Sequence, residues 1–405
     1  MTPATQRHGS NLGQTEFVAL VAMLAATVAF SIDAMLPALP QIAAELTPDS
    51  PNRAQLIITS FVLGMGLGTF FTGPLSDRFG RKPVIVWGAV IYCAASAAAF
   101  LAPSLETMLA ARVCMGLGAA AARVVALALV RDLYSGRDMA RIMSFVMIVF
   151  ALVPALAPSM GAAIIALSDW RGIFLTFMGF AVLATLWLML RQPETLAPQD
   201  RQPLKFARLW AATREVFAHP TTRLSIFVQT LCFGMLFGTL SSTQQVFDQS
   251  YGQGDTFHFW FGGIAIVASS AGFLNARLVG RLGMRPIIKA MLTAQVGLSA
   301  TMALVAWVGI PTQAELLVYA FWTTTLFFQA GMTIGNLNAL AMEPMGHIAG
   351  VAASVISAVA TIGAVMIAVP IGLAFDGTPL PLAVATCILA IIALWLTSMI
   401  VRDSD

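Results

Sequence analysis

Charge is what this chain has least of. Asp, Glu, Lys and Arg make up 10% of its 405 residues, while 58% are hydrophobic. A soluble globular domain carries roughly 25% charged residues, so the shortage excludes a water-soluble fold. Cysteine is scarce too. Cys93, Cys114, Cys232 and Cys387 all fall in apolar runs, none is placed for an outer-loop disulfide, and no C-x-x-C or Cys/His cluster suggests a metal. They read as small apolar packing residues. Histidine is confined to His8, His219, His258 and His347, all at or near the ends of those runs. With no buried Ser/His pair and no paired carboxylates, the sequence offers no catalytic centre, and an enzyme is not expected. No basic patch interleaves with aromatics, so no nucleic-acid partner is expected. No polar segment is long enough to be a soluble signalling module, which argues against a membrane sensor.

What the chain has is apolar length. A helical span needs about 20 mostly apolar residues. Twelve runs qualify: 16–40, 54–74, 83–102, 105–130, 141–166, 170–190, 221–244, 257–278, 286–309, 313–340, 347–373 and 379–400. MEPMGH (342–347) is the only break between the tenth and eleventh. Basic residues orient the set. With both termini cytoplasmic, 18 of the 22 Lys and Arg lie on inner segments, Arg53 and Arg171 on outer loops, and Arg112 and Arg123 within a span. Acids such as Glu45, Asp49, Glu106 and Asp169 gather on the outer loops. This is a positive-inside pattern. The polar start, MTPATQRHGSNLGQ, leads into no short apolar core with a small-residue cleavage site, so the first span is expected to be retained.

One polar knot interrupts the first runs. GPLSDRFGRKP (73–83) sets Asp77, Arg78, Arg81 and Lys82 between two nearly uncharged stretches. A weaker copy, LVGRLGMRP (278–286), lies half a chain away. Aligning Gly80 with Gly283 also matches Leu75 with Leu278, Arg78 with Arg281, Pro83 with Pro286 and Lys82 with Arg285. The repeat predicts two six-helix halves, each with a charged inner hairpin, the architecture of many secondary transporters. The halves are 1–190 and 220–405. Residues 191–219, rich in Pro and both charges, form the expected cytoplasmic linker. Within it, Leu204–Phe217 reads as an amphipathic helix on the inner surface or a plain connecting helix. Gly64, Gly66 and Gly68 in span 2, and Gly116, Gly118 and Ala119–Ala122 in span 4, predict close backbone packing.

Three charges lie well inside spans: Asp33, Arg112 and Arg123. Each is costly there unless it pairs or faces water. Asp33 and Arg112 sit at matched depth, about 10 Å from the outer face at 1.5 Å per residue. They form an ion pair, or share water in a cavity. Such a pair either fixes helix packing or serves transport. Asp33, the one acid buried in a span, is the proton-binding candidate. A contact to Arg112 that changes with substrate or helix movement changes its proton affinity. Arg123 follows Arg112 by eleven residues, so both project from one face of span 4, with Met115 between them. Arg123 either lines an aqueous path or snorkels to the inner surface.

Polar residues recur on one face of span 10 at Trp322, Thr325, Gln329, Met332 and Asn336. Gln229 lies in span 7, and Ser354, Ser357 and Thr361 in span 11. Each forms interhelical hydrogen bonds or, with Phe30, Phe233 and Phe237, lines a cavity for an amphipathic or aromatic solute.

GPLSDRFGRKP resembles the loop 2–3 signature of the major facilitator superfamily, with Gly73, Asp77, Arg78, Gly80, Arg81 and Lys82 in place. SIDAMLPALPQIAAEL, RVCMGLGAAAARVVALALVRDLY, APSMGA and the stretch from NLNALAMEP to AGVAAS resemble the drug:proton antiporters, specifically their Bcr/CflA-like branch. The resemblance implies the major facilitator fold. It makes Asp33 the proton-linked acid, Arg112 the arginine of the span 4 motif, and Pro154, Pro158 and Gly161 parts of the antiporter motif of span 5. It makes the loop 2–3 residues the inner gate, with Asp77 docked at the N-terminus of span 11 near Gly350, where the helix dipole favours an anion. The span 5 motif reads Ala157-Pro158-Ser159-Met160-Gly161-Ala162 where the antiporter pattern has G-P-x-x-G-G, and Gly280 stands where the first half has Asp77.

The expected protein is thus a proton-coupled exporter of small amphipathic compounds or drugs in the cytoplasmic (inner) membrane. Its partners would be a small-molecule substrate, protons and the lipid bilayer. It needs no cofactor beyond the proton gradient, and the repeat within one chain makes a monomer sufficient. The rival is a proton-coupled symporter or an exporter of one specific metabolite.

Overall fold

A computed structural model of the chain describes residues 12–203 and 206–400. The polar N-terminal start up to residue 11, and Leu204 and Lys205 at the head of the amphipathic stretch, lie outside the described residues. The described residues are helical almost throughout. The first half contains α1 (Gln14–Asp33), α2 (Leu39–Leu46), α3 (Leu56–Phe79), α4 (Arg81–Phe100), α5 (Leu105–Leu133), α6 (Gly136–Leu167) and α7 (Gly172–Arg191). Helix α8 (Phe206–Ala218) follows, and the second half contains α9 (Pro220–Gln245), α10 (Phe257–Leu282), α11 (Met284–Val308), α12 (Thr312–Met342), α13 (Ala349–Leu373) and α14 (Leu380–Ser398).

The first apolar run is not one helix. It breaks after Asp33, passes through a short 3-10 turn at Leu36–Ala38, and resumes as α2. Pro37 explains the break. It has no N–H to bond the Asp33 carbonyl, so α1 ends there and the chain tightens into the 3-10 turn. The opposite question arises late in the chain, where α12 and α13 follow each other with no loop over the 62 residues Thr312–Leu373. A 3-10 run at Glu343–Ile348 separates them, with Met345 at φ −102° and ψ 17°, where MEPMGH predicted the break. Pro344 removes a helical donor there. Counting α1 with α2 as one span gives twelve.

The repeat is visible in the backbone. Gly80 joins α3 to α4 at φ 103°, ψ 162°, and Gly283 joins α10 to α11 at φ 82°, ψ 166°. Only glycine adopts this region freely. Two residues aligned by sequence alone therefore make the same sharp reversal.

Small residues set the packing within the first half. On α3, Gly64 and Gly68 face α5 so closely that a methyl group on either would strike the backbone of Val113 or Leu117. Gly88 of α4 and Gly118 of α5 face each other in the same way. Apolar burial gives no net drive between helices in lipid, so this close approach supplies the van der Waals contact that does. The halves meet along α3 against α13 and α6 against α10.

Helix α8 is a docked element. Leu209 and Val216 are buried in a cluster with Ile226, Val355 and Ile356 of the second half, while Trp210 on the opposite face is 73% exposed. The amphipathic pattern thus describes a helix whose apolar face is taken by protein.

Candidate functional site

Asp33 is the last residue of α1 and is 5% exposed. Its carboxyl makes no ion pair and no hydrogen bond among the described residues. Arg112, fully buried on α5, is not its partner. The Arg112 Nε donates to the Ile57 carbonyl (3.1 Å) and Nη2 donates to the Ser31 carbonyl (3.0 Å). The guanidinium carbon lies 4.5 Å from the Phe61 ring centroid. The expected direct ion pair is therefore replaced by a carbonyl bridge, and the helix break is the reason. In a continuing helix the Ser31 carbonyl would accept from the Met35 N–H; that N–H bonds to the Ile32 carbonyl instead (3.3 Å). A freed carbonyl at a helix end seeks a donor, and Arg112 supplies it. One nitrogen of Arg112, Nη1, keeps no partner. The Ser31 hydroxyl meets the Tyr92 hydroxyl at 2.5 Å, tying α1 to α4 beside the same break.

Gly161 of α6 sits directly on this break. A methyl group there would lie 3.0 Å from the Ala34 carbonyl carbon and closer still to its oxygen. Pro154 and Pro158 stand one turn apart in α6, and Pro158 lacks the N–H that would bond the Pro154 carbonyl. The span 5 motif and the buried acid are thus neighbours, joined through the residue after Asp33.

The hairpin between α3 and α4 is a second polar centre. Arg81 is nearly buried and is held by Asp77 (2.6 Å), Asp132 (2.9 Å) and the Ser76 hydroxyl (2.8 Å). Asp77 therefore bonds Arg81. The expected site for it, the head of α13, is close in register: a methyl group on Gly73 would lie 2.8 Å from the Ser354 hydroxyl, which places Asp77, one turn on, level with Gly350, one turn back. Glu194 caps the start of α4 by accepting from the N–H groups of Arg81 (2.9 Å) and Lys82 (3.0 Å). The Lys82 ammonium donates to the Met189 carbonyl (3.1 Å), and Arg78 lies against the Phe79 ring at 5.2 Å.

The candidate cavity residues make their contacts within one half or the other. Phe30 packs edge-on against Phe177 and tilted against Phe180, both at 5.3 Å, within the first half. Met115 is fully buried in the same core. Trp322 is turned into the second half, where its indole N–H donates to Ser299 of α11 (3.1 Å). These three are packing residues. Asn336 donates to Asn275 of α10 (2.7 Å), and Gln329 donates to Thr333 (2.9 Å). Thr325 returns its hydroxyl to the Trp322 carbonyl (2.7 Å). Phe233 and Phe237 stack at 5.7 Å on α9, and Gln229 on the same helix leaves its Oε1 buried without a partner. Arg123 turns toward α3. Its Nη1 approaches the Met65 sulfur of α3 at 3.6 Å.

With these features assembled, the sequence matches the family model described as Major Facilitator Superfamily over residues 20–369. The chain belongs to the major facilitator superfamily. As a member it is a multi-pass membrane transporter of small molecules and not an enzyme. The Bicyclomycin resistance protein homolog of Haemophilus influenzae is 30% identical over 364 residues, 86% of this chain and 87% of that one. The Multidrug resistance protein MdtL of Escherichia coli is 35% identical over 171 residues, 42% of this chain and 44% of that one. Among solved structures, the D-xylose-proton symporter superposes with a TM-score of 0.77 over 96% of this chain and 99% of that one, at 14% identity. A point mutant of the nucleoside transporter NupG gives 0.73 over 96% and 100%, at 12%. At such identities the likeness establishes the fold.

In this superfamily member amides bridge the two halves at the end of the bundle opposite the Arg81 hairpin. Asn52 donates to the carbonyls of Leu373 (3.2 Å) and Phe375 (2.7 Å), and Gln245 donates to the Asn52 side-chain oxygen (2.6 Å). Gln55 bonds Gln245 and accepts from Ser242 (3.0 Å). Sequence reasoning passed over Asn52 and Gln55, because isolated amides at span ends carry no periodic signal. It also missed Asp132 and Glu194. Asp132 follows Arg131 at the end of α5, and an acid there, opposite a charged hairpin, was the available clue. The two basic residues expected on outer loops are both paired, Arg53 with Glu106 (2.9 Å) and Arg171 with Glu45 (2.7 Å).

Proposed function

We propose that this chain exports small amphipathic compounds across the cytoplasmic (inner) membrane in exchange for protons, with Asp33 as the proton-carrying group. The observation that carries the reading is the isolation of Asp33. It is the one acid buried in a span, it lacks a counter-charge, and it stands at the C-terminal end of α1, where the helix dipole disfavours an anion. An ionised carboxylate there is uncompensated, so its proton exchange follows whatever water or cation reaches it. The Haemophilus and Escherichia relatives, named for bicyclomycin and multidrug resistance, support the same reading.

Alternating access supplies the cycle. The halves, 1–190 and 220–405 joined by 191–219, rock about the site between them. Closure of the Asn52, Gln55 and Gln245 seam shuts the outer side; release of the Arg81, Asp77 and Asp132 cluster accompanies motion at the inner side. Loading Asp33 with a proton removes its charge, and the break beneath it transmits the change to Gly161 of α6 and, through the Ser31 carbonyl, to Arg112. Both termini lie in the cytoplasm in this reading, and one chain is the functional unit. The proton gradient is the only energy source.

The test is efflux of a fluorescent amphiphile from energised cells, wild type beside Asp33→Asn, with and without a protonophore. Loss of efflux under either treatment is expected. Undiminished proton-driven efflux by Asp33→Asn would remove Asp33 from coupling. Accumulation with the proton gradient, in place of export against it, would identify the symporter that Ala157 and Ala162 in the span 5 motif leave open.

A further inference from the structure

We propose that Arg123 is an anion-recognition subsite, which selects amphipathic compounds bearing a carboxylate or comparable acidic group. The inference rests on the export reading above for its place in the substrate path. Its structural basis is independent of that reading.

Arg123 points the wrong way for a surface anchor. Helices α3 and α5 run parallel, Gly64 packing against Val113 and Gly68 against Leu117 and Ala120. The Arg123 backbone therefore lies about one turn nearer the inner end than that contact. Yet its Nη1 reaches back to Met65, outward of Gly68, at 3.6 Å. A snorkelling arginine would extend in the opposite direction.

Met65 fixes which compartment the guanidinium occupies. Around α3, Gly64 and Gly68 face α5, while Gly66 and Gly73 face Thr361 and Ser354 of α13. Leu67 and Phe71 form the exposed outer arc of the helix. Met65 lies between the two packed arcs and opposite the exposed one. The guanidinium that touches it is thus directed to the space between the halves and away from lipid.

No anion of the protein meets it there. Among the described residues Arg123 forms no ion pair, and its only hydrogen-bond contact is the Met65 thioether, a weak acceptor. Asp33 is the sole acid buried in a span and stands near the depth of Arg112, about 16 Å along α5 from Arg123. Arg112 answers its own burial with two backbone carbonyls. Arg123, half-buried, has no such answer. A guanidinium presents five donors in a rigid fork that matches a carboxylate edge to edge. The Met65 thioether beside it offers a polarisable surface to the apolar body of the same molecule. An acidic amphiphile satisfies both at once.

The test compares two molecules of one shape, 2-naphthoate and its neutral isostere 2-naphthamide, on the purified full chain. Binding is read as the concentration giving half-maximal thermal stabilisation, and export is measured separately in energised cells. Wild type should bind the naphthoate about tenfold or more tighter than the amide, the gain expected of a charge-assisted bidentate contact. Arg123→Gln should bring the two within about twofold by weakening the acid alone, and Arg123→Lys should fall between, since it keeps charge and loses the fork. Equal affinity of wild type for both compounds, or equal weakening of both by Arg123→Gln, would overturn the proposal. If Arg123→Gln does not fold, the wild-type preference and Arg123→Lys decide the matter alone. Arg123-dependent preference for the naphthoate without export of either compound would uphold the anion subsite and refute export.

Discussion

The paired glycine hinges allow a measurement with its own control. Gly80 and Gly283 share a backbone conformation, so Gly→Ala at either imposes similar strain, about 1–3 kcal/mol. Their surroundings differ. A methyl group on Gly283 meets nothing nearer than 3.8 Å, whereas on Gly80 it lies 2.7 Å from the Glu194 carboxylate and 3.3 Å from Arg201. A carboxylate at the end of a flexible side chain can move aside, but Glu194 would then release the N–H groups of Arg81 and Lys82. Hydrogen bonds to a charged group are worth about 1.5–3 kcal/mol. With two such bonds released, Gly80→Ala should cost about 4–9 kcal/mol against about 1–3 for Gly283→Ala. Adding Glu194→Ala removes both the obstacle and the cap, so Gly80→Ala in that background should fall back to the cost at Gly283. Equilibrium unfolding in mixed micelles, followed by tryptophan fluorescence, gives all five values needed for the cycle. If Gly80→Ala costs no more than Gly283→Ala, or if the excess persists without Glu194, the assignment of Glu194 as the cap of α4 is wrong.

Two further outcomes test the machinery. Asn52→Ala removes three hydrogen bonds of the outer seam, each worth about 1 kcal/mol. In a cysteine-free chain carrying Ser242→Cys it should raise labelling from outside by an impermeant maleimide at least tenfold, and unchanged labelling would show that the seam does not hold the outer side shut. Gly161→Ala forces α6 away from the Ala34 carbonyl beside Asp33 and should slow proton-driven efflux about tenfold while surface expression is kept; wild-type efflux would show that the break tolerates the displacement.

Much of the fold was legible because the bilayer imposes a length rule on every span, and glycine marks a reversal that few other residues can make. Gly80 and Gly283 illustrate both. The break in the first span was less legible. An apolar run conceals it, and only Pro37 hints at the carbonyls that α1 sets free. That is why Asp33 and Arg112 could be placed at one depth and still not paired: depth follows from counting residues, but the partner of Arg112 is a backbone atom that exists because the helix ends. Periodicity identified the Trp322, Gln329 and Asn336 face without saying which helix opposes it, and three helices do, α11, α9 and α10. Phe30 failed for the same reason. Arg123 was left between two readings by sequence because direction along a helix is invisible in spacing, and its contact with Met65 supplies that direction.

The segment between the halves has a mechanical meaning. Its start is fastened to the first half through Glu194 at α4, Thr195 on Asp132 (2.8 Å) and the Gln202 N–H on the Asp77 carbonyl (3.0 Å). Its end is fastened to the second half through Leu209 and Val216. By contour length the chain from Gln202 to Leu209 spans at most about 25 Å when fully extended. A connection with both ends moored is a leash, and its length sets a ceiling on how far the inner mouth can open before one mooring must give. Lengthening it with flexible residues would change the stroke of the transporter without touching its binding site.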